Sequence, residues 1–534
     1  MTRDEFDFVI VGAGSAGCVL ANRLSADGRH RVLLLEAGPW DRNPWVHVPI
    51  GYAKTMFHPV LNWGYSTEPE AELAGRRIYW PRGRVIGGSS SINGLLYVRG
   101  QAEDYDDWLQ AGNAGWSWHD VEPYFRKLEH YHAEPDQLRG RHGPLHITPI
   151  APSPLCDGFI AAAVEAGIPA NPDYNGRSQE GAGYFQITTH RGLRCSSAAA
   201  YLKPIRHRAN LEVRTEAQTL RVLMQGGRAT GLCYERGGAM VEVAARKEVI
   251  LAAGAINSPQ LLQLSGIGPG TLLQSHGIPV VQALPGVGAN LQDHLQIRLT
   301  YKASRPVTTN DALRSLAGKM RIGLQFLLRR AGPIAVGINQ AYIFTRADPA
   351  AARPDIQFHF GTISSDVPGG PVHDFSGFTA SVCQLRPLSR GTVEIASPDP
   401  RQPAQMRPNY LDDPYDRFVM TEGVKVARKV AAQPALAAFI AREMKPGPET
   451  TGDAALLDYV RKSSTTIFHP SGTCKMGRDD DAMAVLDARL RVRGVSGLRV
   501  VDASVMPSLV SGNTNGPVIM IAEKASDMIL EDAR

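Results

Sequence analysis

The chain has 534 residues, more than three times the ~150 residues of an average domain, so a single small binding module is not expected. Glycine accounts for 53 residues, about a tenth of the chain against a usual ~7%, and the 37 prolines show no periodicity, which excludes collagen and low-complexity disorder. The net charge of +5 comes with no long basic block, so we predict no nucleic-acid partner. The six cysteines form no C-x-x-C pair, which favours free thiols in a reducing compartment.

The N-terminal segment is apolar but is not typical of a signal peptide. Residues 8–21, FVIVGAGSAGCVLA, follow Asp4, Glu5 and Asp7, where a signal peptide carries Lys or Arg, and they fall short of the ~18 residues that span a bilayer. No other run in the sequence is long enough. We therefore predict a cytoplasmic protein without a transmembrane segment, and peripheral attachment to a membrane stays open.

The first elements along the chain predict a βαβ unit. Residues 6–11 indicate a strand, a small-residue turn and a helix follow, and residues 32–35 indicate a second strand, so we expect a right-handed crossover and a parallel sheet. A His-, Gly- and Pro-rich stretch after residue 140 begins an inserted piece, and strand patterns return at residues 211–222 and 241–251. Residues 299–461 mix strands and helices, and the last stretch predicts a strand at 498–501 and a helix at 517–530.

A G-x-G-x-x-G motif, Gly12-Ala13-Gly14-Ser15-Ala16-Gly17, lies between the first strand and the first helix. Glu36 follows Gly17 by 19 residues, close to the ~20 expected for a carboxylate that hydrogen-bonds a ribose hydroxyl. The glycines allow a tight turn and a close approach to a pyrophosphate, which the helix N-terminus attracts. A carboxylate at Glu36 disfavours the 2′-phosphate of NADP, and NAD and FAD remain as candidates.

Two further glycine-rich segments carry a family resemblance. Residues 83–94, GRVIGGSSSING, and residues 254–268, GAINSPQLLQLSGIG, resemble the two signature patterns of the glucose-methanol-choline (GMC) oxidoreductases, and PGVG at 285–288 with NLQDH at 290–294 resembles another segment of that family. The likeness spans nearly the whole chain and is strongest to bacterial choline dehydrogenase-like and aliphatic alcohol dehydrogenase members. It implies an α/β fold, with a Rossmann-like FAD-binding domain built on a parallel sheet and an α+β substrate-binding cap domain with an antiparallel sheet.

The domain boundaries that we predict combine this likeness with the element pattern. Residues 1–300 form the N-terminal FAD-binding region, with a cap insertion near 141–195. Residues 301–460 form the substrate-binding region, and residues 461–534 return to the FAD domain with the active-site His and Asn.

The resemblance implies FAD as the dinucleotide, with residues 83–94 against the isoalloxazine ring and the pyrophosphate. Some members of the family attach the flavin covalently through a histidine just before the asparagine of this loop, but Ile92 occupies that position here, so we expect a non-covalent FAD. The cofactor contacts predicted from the motif and from the family segments are Gly12, Gly14, Ser15, Ala16, Gly17, Glu36, Arg84, Val85, Gly88, Ser89, Asn93, Gly94, Leu95, Asp502, Ala503, Asn515 and Pro517.

His469 and Asn513 are the predicted catalytic pair. Oxidation of an alcohol by a flavin removes a hydroxyl proton and a hydride, so it needs a base that titrates near neutrality, and histidine has an ordinary pKa of ~6.5. By resemblance, His469 in the segment FHPSGT takes the proton, and Asn513, 44 residues later in NTNGP, donates to the alkoxide as hydride leaves for flavin N5. A lone histidine before a proline is, without that likeness, more often a loop residue.

Weaker signals concern the substrate. His359, in a strand-like run, resembles a cavity-lining position of choline-oxidising members, although a core histidine fits the pattern equally well. Gln340 aligns where those members carry a Glu opposite the trimethylammonium group, and no aromatic cage replaces it, which argues against choline. Residues 314–330 mix cations with apolar residues and predict a cap helix over the substrate entrance, with contact to a membrane surface as the alternative. We expect no metal, and we interpret His294 as structural.

The sequence therefore predicts an FAD-dependent alcohol dehydrogenase or oxidase that converts a primary alcohol, neutral and aliphatic or aromatic, to an aldehyde. Its electron acceptor would be O₂ or a quinone-like carrier. Choline dehydrogenase is the alternative within this class. A non-redox lyase and a photodecarboxylase, both branches of the same family, are the alternatives of another class.

Overall fold

The computed structural model of the chain describes residues 4–133, 138–367 and 369–534. Its strands are β1 (Asp4–Val11), β2 (Val32–Leu35), β3 (Tyr65–Ser66), β4 (Tyr79–Trp80), β5 (Glu129–Tyr131), β6 (Leu145–Pro149), β7 (Gly181–Tyr184), β8 (Gln186–Ile187), β9 (Thr189–His190), β10 (Leu193–Arg194), β11 (Leu211–Arg214), β12 (Ala217–Gln225), β13 (Arg228–Arg236), β14 (Ala239–Leu251), β15 (Ile267–Gly268), β16 (Gln282–Ala283), β17 (Leu295–Ala303), β18 (Asn339–Thr345), β19 (Ile356–Gly361), β20 (Gly377–Gln384), β21 (Thr392–Glu394), β22 (Gln405–Arg407), β23 (Ile440–Lys445), β24 (Thr465–Thr466) and β25 (Leu498–Val500).

The helices lie between these strands and at the C-terminal end. They are α1 (Ser15–Leu24), α2 (Pro44–His47), α3 (Tyr52–Thr55), α4 (Ala102–Gln110), α5 (Trp118–Leu128), α6 (Pro154–Glu165), α7 (Gly254–Leu264), α8 (Gly270–Ser275), α9 (Thr309–Arg314), α10 (Leu316–Arg329), α11 (Pro414–Ala431), α12 (Pro434–Ala437), α13 (Asp453–Ser463) and α14 (Asn515–Asp532).

The first large sheet has the strand order β11-β2-β1-β14-β13-β12, and β25 also pairs with β14. β1 runs parallel to both β2 and β14, as predicted from the βαβ pattern. The central strands of this sheet, β1 and β2, contain apolar runs that are buried on both faces, which is typical of a parallel sheet covered by helices. β12, β13 and β14 pair antiparallel and extend this sheet, so it is parallel only in its core.

The turn from β1 to α1 depends on two glycines. Gly12 has a φ of +95°, which favours glycine, and a Cβ on Gly17 would lie 1.8 Å from the carbonyl oxygen of Gly12. Any side chain at Gly17 would therefore push α1 away from β1. The predicted strand, turn and helix are confirmed, and the turn faces the carboxyl end of the parallel strands, where ligands bind in such folds.

The second large sheet has the order β23-β17-β20-β19-β18-β7, with β24 beside β17, and its pairs are antiparallel. Because side chains alternate between the faces of a strand, β19 places Phe358 and Phe360 on one face and Gln357, His359 and Gly361 on the other. The phenylalanines belong to an apolar core shared with α6 and α11. The opposite face carries the polar residues and closes a cavity between the two sheets.

The second sheet collects strands from separate parts of the chain. The boundary at 300 falls inside β17, and β7, from within the predicted insertion at 141–195, forms one edge of this sheet. In the segment 461–534, which we predicted to return to the FAD domain, β25 joins the first sheet and β24 pairs with β17 of the second. Long-range strand pairing decides these memberships, and local sequence patterns carry no record of it.

All six cysteines are buried free thiols. Within the described ranges, no helix is long and apolar enough to cross a membrane.

Candidate active site

A cavity of about 980 Å³ runs between the carboxyl end of the first sheet and the polar face of the second. At one end it is lined by the first glycine turn and Glu36, and at the other by His469 and Asn513. Thus residues more than 500 positions apart in the chain meet around a single elongated space. An elongated space of this kind, beginning at a Rossmann turn, has the form that a bound dinucleotide requires.

Glu36 stands at the end of β2 with its carboxylate toward the first glycine turn. Its two oxygens accept hydrogen bonds from the backbone N–H groups of Ala13 and Gly38, each at 2.9 Å. Burial raises the pKa of Glu36 to about 7, against these two hydrogen bonds and the charge of Arg84, which lower it. The carboxylate is therefore fixed in place at the cavity wall, where the motif predicts a contact with a ribose hydroxyl.

The second glycine segment packs directly on the first. A Cβ on Gly88 would lie 2.6 Å from the Cα of Gly14, and the N–H of Gly87 donates to the carbonyl of Ala13 at 2.7 Å. Gly94, farther along the same loop, differs, because a Cβ built there would meet no protein atom within 4 Å. Gly94 therefore faces the open cavity, whereas Gly88 is needed for contact between the two loops.

Arg194 holds the second glycine loop, and the sequence offered no motif for it. Its guanidinium donates to the side-chain oxygen of Asn93 at 2.6 Å, to the carbonyl of Ser90 at 3.1 Å and to that of Val46 at 2.9 Å. Burial lowers the pKa of Arg194 to about 9. On the loop, Arg194 bonds two neutral groups, the carbonyl of Ser90 and the side-chain oxygen of Asn93. The second bond fixes the orientation of the Asn93 side chain, which lines the cavity.

Asp502 closes the opposite wall and acts mainly on the protein backbone. Its carboxylate accepts from the N–H of Gly254 at 2.9 Å, the hydroxyl of Ser258 at 2.6 Å and the N–H of Ser504 at 2.8 Å. The neighbouring Ala503 and the start of α14 at Asn515 line the cavity. Asn515 also accepts from the hydroxyl of Ser15 at 2.8 Å, which ties α14 to the first glycine turn.

Most of the predicted cofactor residues lie on the cavity, and the structure places a few elsewhere. Those on the wall are Gly12, Gly14, Ser15, Ala16, Glu36, Gly88, Ser89, Asn93, Gly94, Leu95, Asp502, Ala503 and Asn515. Those behind it are Gly17, Arg84, Val85 and Pro517. Arg84 lies over the ring of Trp63, which does line the cavity, and Val85 is buried with an apolar cluster that includes Ile92.

His359 and Gln340, the predicted substrate residues, have different positions. His359 lines the cavity, and its Nδ1 forms no hydrogen bond within the described ranges. A bulge in β18 shifts the register between Asn339 and Ala341, so Asn339 faces the cavity while Gln340 donates to the hydroxyl of Thr362 at 3.1 Å. Asn339 rather than Gln340 thus lies on the cavity, because of a bulge that cannot be seen in the local pattern, and the substrate role of Gln340 stays a prediction.

His469 is aimed by a chain of hydrogen bonds that begins at a backbone carbonyl. Nε2 of His294 lies 2.9 Å from the carbonyl of Leu385, and Nδ1 of His294 lies 2.9 Å from Nδ1 of His469. Since a carbonyl can only accept, the proton of His294 is on Nε2, and its Nδ1 accepts from His469. Burial lowers the pKa of His294 to about 4, so it is neutral. His469 therefore carries its proton on Nδ1 and presents a bare Nε2.

Asn513 faces that bare nitrogen. Its amide nitrogen lies 3.3 Å from Nε2 of His469, and its amide oxygen accepts from Gln357 at 3.3 Å, which sets the direction of the amide. His294 and Gln357 thus orient the predicted pair, and both were missed as site residues. For His294, the sequence signal was the family segment NLQDH. For Gln357, it was the alternation along β19, which puts Gln357 on the same face as His359.

The backbone of His469 is held as firmly as its ring. Asp293 accepts from the N–H of His469 at 2.7 Å and from the hydroxyls of Tyr410 and Thr466. Phe468, just before it, has a φ of +71°, which is costly for a residue with a side chain, and its carbonyl accepts from Arg82 at 2.6 Å. A strained backbone at Phe468 beside the side chains of Arg82 and the buried Asp293 is typical of a functional site.

The electrostatic environment keeps His469 neutral. Burial lowers its pKa well below the ordinary histidine value, and the neighbouring His294, His359 and Arg82 lower it further. Burial likewise lowers the pKa of His359 to about 3. A neutral imidazole with an unprotonated Nε2 is the form that accepts a proton, so the site is arranged for a base.

Charged groups divide the cavity into two ends. Among the lining residues the carboxylates are Glu36 and Asp502, and both lie near the glycine turns. Arg298 lines the part formed by the second sheet, and within the described ranges its guanidinium forms no hydrogen bond or ion pair; burial lowers its pKa. Apolar residues such as Ile338 and Ile363 line the cavity together with polar residues of the second sheet, such as Ser381.

These features define a dinucleotide-dependent enzyme with a buried, neutral histidine, His469, on the same cavity. Two family models, each described as GMC oxidoreductase, match residues 6–296 and 387–522. The chain belongs to the GMC oxidoreductase family. It is an FAD-dependent oxidoreductase that acts on CH–OH groups, as the sequence predicts, and the glycine loops and Glu36 fit that cofactor.

The relatives include two named alcohol-oxidising activities. The oxygen-dependent choline dehydrogenase of Photobacterium profundum is 43% identical and aligns with 98% of this chain and 93% of its own. The alcohol dehydrogenase [acceptor] of Pseudomonas putida is 42% identical, with 98% and 96% covered. Among solved structures, pyridoxine 4-oxidase from Mesorbium loti superposes with a TM-score of 0.88 at 33% identity, covering 98% of both chains.

We expect Gly94→Ala to lower the affinity for FAD roughly tenfold or more, because the added methyl group enters the cavity rather than the protein core. The measurement is the ratio of FAD to protein after dialysis, together with the melting temperature of the apoprotein, which should not change. Gly270→Ala is the matched control, since a Cβ there also meets nothing but lies outside the cavity. Retention of FAD at the wild-type level by Gly94→Ala would show that the cofactor does not reach this loop.

Proposed function

We propose that this enzyme oxidises a primary alcohol to an aldehyde, with His469 as the base. The observation that carries the proposal is the bare Nε2 of His469 at 3.3 Å from the amide nitrogen of Asn513, at the end of the cavity that the cofactor loops begin. FAD supplies the acceptor for the hydride. His469 takes the hydroxyl proton on Nε2, so the alcohol loses one proton and one hydride and becomes the aldehyde.

Asn513 has the complementary part. Its amide N–H groups are held toward the substrate end by Gln357, and they donate to the oxygen that becomes negative as its proton leaves. His294 acts as a positioning residue, because its neutral Nδ1 accepts the proton of His469 Nδ1 and so keeps Nε2 bare. Phe468 and the apolar walls exclude water from the reacting carbon.

The proposed substrate is a neutral aliphatic or aromatic alcohol. The lining of the cavity mixes apolar residues with neutral polar residues of the second sheet, and its two carboxylates, Glu36 and Asp502, lie near the glycine turns. Two like charges about 6 Å apart repel by about 3 kcal/mol at an effective dielectric constant near 20, which is roughly a 100-fold loss of affinity. A quaternary ammonium beside Arg298 would meet that repulsion. Choline remains the second candidate, because relatives at 43–45% identity are named choline dehydrogenases.

Anaerobic mixing with alcohols tests this function. We expect a primary aliphatic or aromatic alcohol to bleach the flavin absorbance faster than choline does, and His469→Ala to slow bleaching at least about 10³-fold while FAD stays bound. Comparing peroxide formation with reduction of a quinone-like dye then identifies the acceptor. A flavin that no alcohol reduces would contradict the proposal and favour a lyase or a photodecarboxylase, and unchanged bleaching in His469→Ala would assign the base elsewhere.

The pH profile of flavin reduction gives a second test. Because burial and the nearby cationic or titratable groups lower the pKa of His469, its neutral form persists below pH 6.5. Protonation removes the base, so activity falls only when the pH drops through the lowered pKa. We therefore expect kcat/KM to stay constant from pH 8 down past 6.5. An acid limb centred at or above pH 6.5 would show that His469 titrates as an ordinary histidine and is not the buried base.

We also propose that α10 docks on an anionic membrane surface beside the substrate entrance. Ile322 and Phe326 of this helix point inward, and Ile322 lines the cavity. Its outward face carries large apolar side chains between 56% and 74% exposed, namely Leu316, Met320, Leu324, Leu327 and Leu328. At 100° per residue these lie within an arc of about 120°, bordered by Lys319 on one side and Arg321 on the other. Apolar residues edged by cations fit an anionic lipid surface.

Vesicle binding distinguishes that proposal from a contact between copies of the chain. We expect the enzyme to co-sediment with phosphatidylglycerol-containing vesicles, and the double variant Leu324→Gln, Leu328→Gln to bind at least about tenfold less, since two exposed leucines are lost. Leu109→Gln, an exposed leucine on α4, is the control. Failure of the wild type to bind such vesicles would overturn the proposal, and self-association that the double variant abolishes would assign the face to a second copy.

A further inference from the structure

A group of histidines lies apart from the cavity, on the small sheet β5-β6-β8 and the neighbouring β9. His130 on β5 is the register partner of His146 on β6, and His132 follows two residues later on the same face. His190 of β9 stacks on His146, with ring centroids 3.7 Å apart. None of these residues takes part in the proposed oxidation.

We propose that His130, His132 and His146 form a binding site for one divalent transition-metal ion of the class that prefers imidazole, such as Zn²⁺. One ring nitrogen from each of the three lies within 4.8 Å of the others. Ligand nitrogens around a tetrahedral Zn²⁺, each bonded at ~2.0–2.1 Å, are separated by about 3.3 Å. Small side-chain rotations therefore bring the three nitrogens to a metal, with water in the fourth position.

The backbone already holds the three side chains together. The ring centroids of His130, His132 and His146 are 4.5 to 5.0 Å apart, and Nε2 of His132 lies 2.8 Å from Nδ1 of His146. The N–H of His132 donates to the carbonyl of Ile147 at 3.0 Å, which fixes the segment after β5 against β6. A preorganised set of three imidazoles pays little ordering entropy when a metal binds.

The ligand atoms and the charges around the group decide which cation it suits. The three imidazoles offer nitrogen lone pairs, which a borderline metal ion such as Zn²⁺ accepts. Arg141 and Arg191 are nearby cations that oppose a metal, but both are exposed and therefore screened by salt. No carboxylate of the described residues joins the group, so a hard cation such as Mg²⁺ finds no suitable ligand.

The position of the site gives it a structural consequence. Glu129, beside His130, accepts from the hydroxyl of Tyr97 at 2.7 Å, and the strand segment that leads to β9 bonds the backbone of residues 95 and 97. These residues directly follow Gly94 of the second glycine loop. A metal bound by the three histidines would therefore join β5, β6 and the connection between them behind the wall of the cofactor cavity.

Metal titration of the FAD-loaded enzyme tests the inference independently of turnover. We expect equilibrium dialysis to show one Zn²⁺ per chain, no bound Mg²⁺, and a rise in melting temperature of about 1–3 °C at saturating Zn²⁺. Cu²⁺ used as a spectroscopic probe should show hyperfine splitting from three nitrogens in its electron paramagnetic resonance spectrum.

Substitutions decide which residues hold the ion. His132→Gln, at an exposed position, should leave the metal-free melting temperature unchanged and weaken Zn²⁺ binding at least about 100-fold, and His146→Gln should weaken it similarly. His207→Gln, an exposed histidine elsewhere, is the control and should bind as the wild type does. Absence of stoichiometric Zn²⁺ from the wild type, or binding that survives His132→Gln, would overturn the proposal and leave a group of stacked neutral imidazoles.

Discussion

The contact between two glycine-rich loops is the constraint on which the rest of the molecule depends. Gly88 meets Gly14 at a distance that no Cβ could share, and the N–H of Gly87 bonds the carbonyl of Ala13. This contact joins the end of β1 to a loop more than seventy residues later. This contact positions the part of the cavity wall near the first glycine turn, because Gly94, Asn93 and the start of α14 are held relative to the same turn.

The proposed chemistry depends on a chain of hydrogen bonds whose direction is fixed by a backbone carbonyl at one end. The carbonyl of Leu385 can only accept, so the proton of His294 lies on Nε2. His294 Nδ1 then accepts the proton of His469 Nδ1, and Nε2 of His469 stays unprotonated, facing the amide nitrogen of Asn513. In the proposed reaction, His469 is thereby oriented as the base before the substrate arrives, and burial keeps it neutral. Preorganisation of this kind costs stability, visible in the positive φ of Phe468 and the buried Asp293, and its benefit is that no group must rearrange during the reaction.

The two faces of the second sheet have different roles, because side chains alternate between them along each strand. Its apolar face packs on α6 and α11, while its other face supplies His359 and Arg298 to the cavity and Gln357 to the amide of Asn513. Antiparallel pairing suits this role, because such a sheet can be apolar on one side and polar on the other. The position of Arg298 on this face follows from strand register, and its charge supports the proposal of a neutral alcohol.

The sequence by itself determined the glycine turn, Glu36, the parallel core of the first sheet and the family, because these depend on residues close together in the chain or on recognisable segments. Family segments, rather than spacing, led to the prediction of His469 and Asn513 as the catalytic pair. Only the tertiary structure decided the hydrogen-bond partners of His294, Gln357 and Arg194. It also placed Gln340 off the cavity and decided which strands form the second sheet. The grouping of His130, His132 and His146 likewise depends on the tertiary structure. The physical reason is that hydrogen-bond direction, bulges and strand partners arise from contacts between distant segments, which no local pattern records.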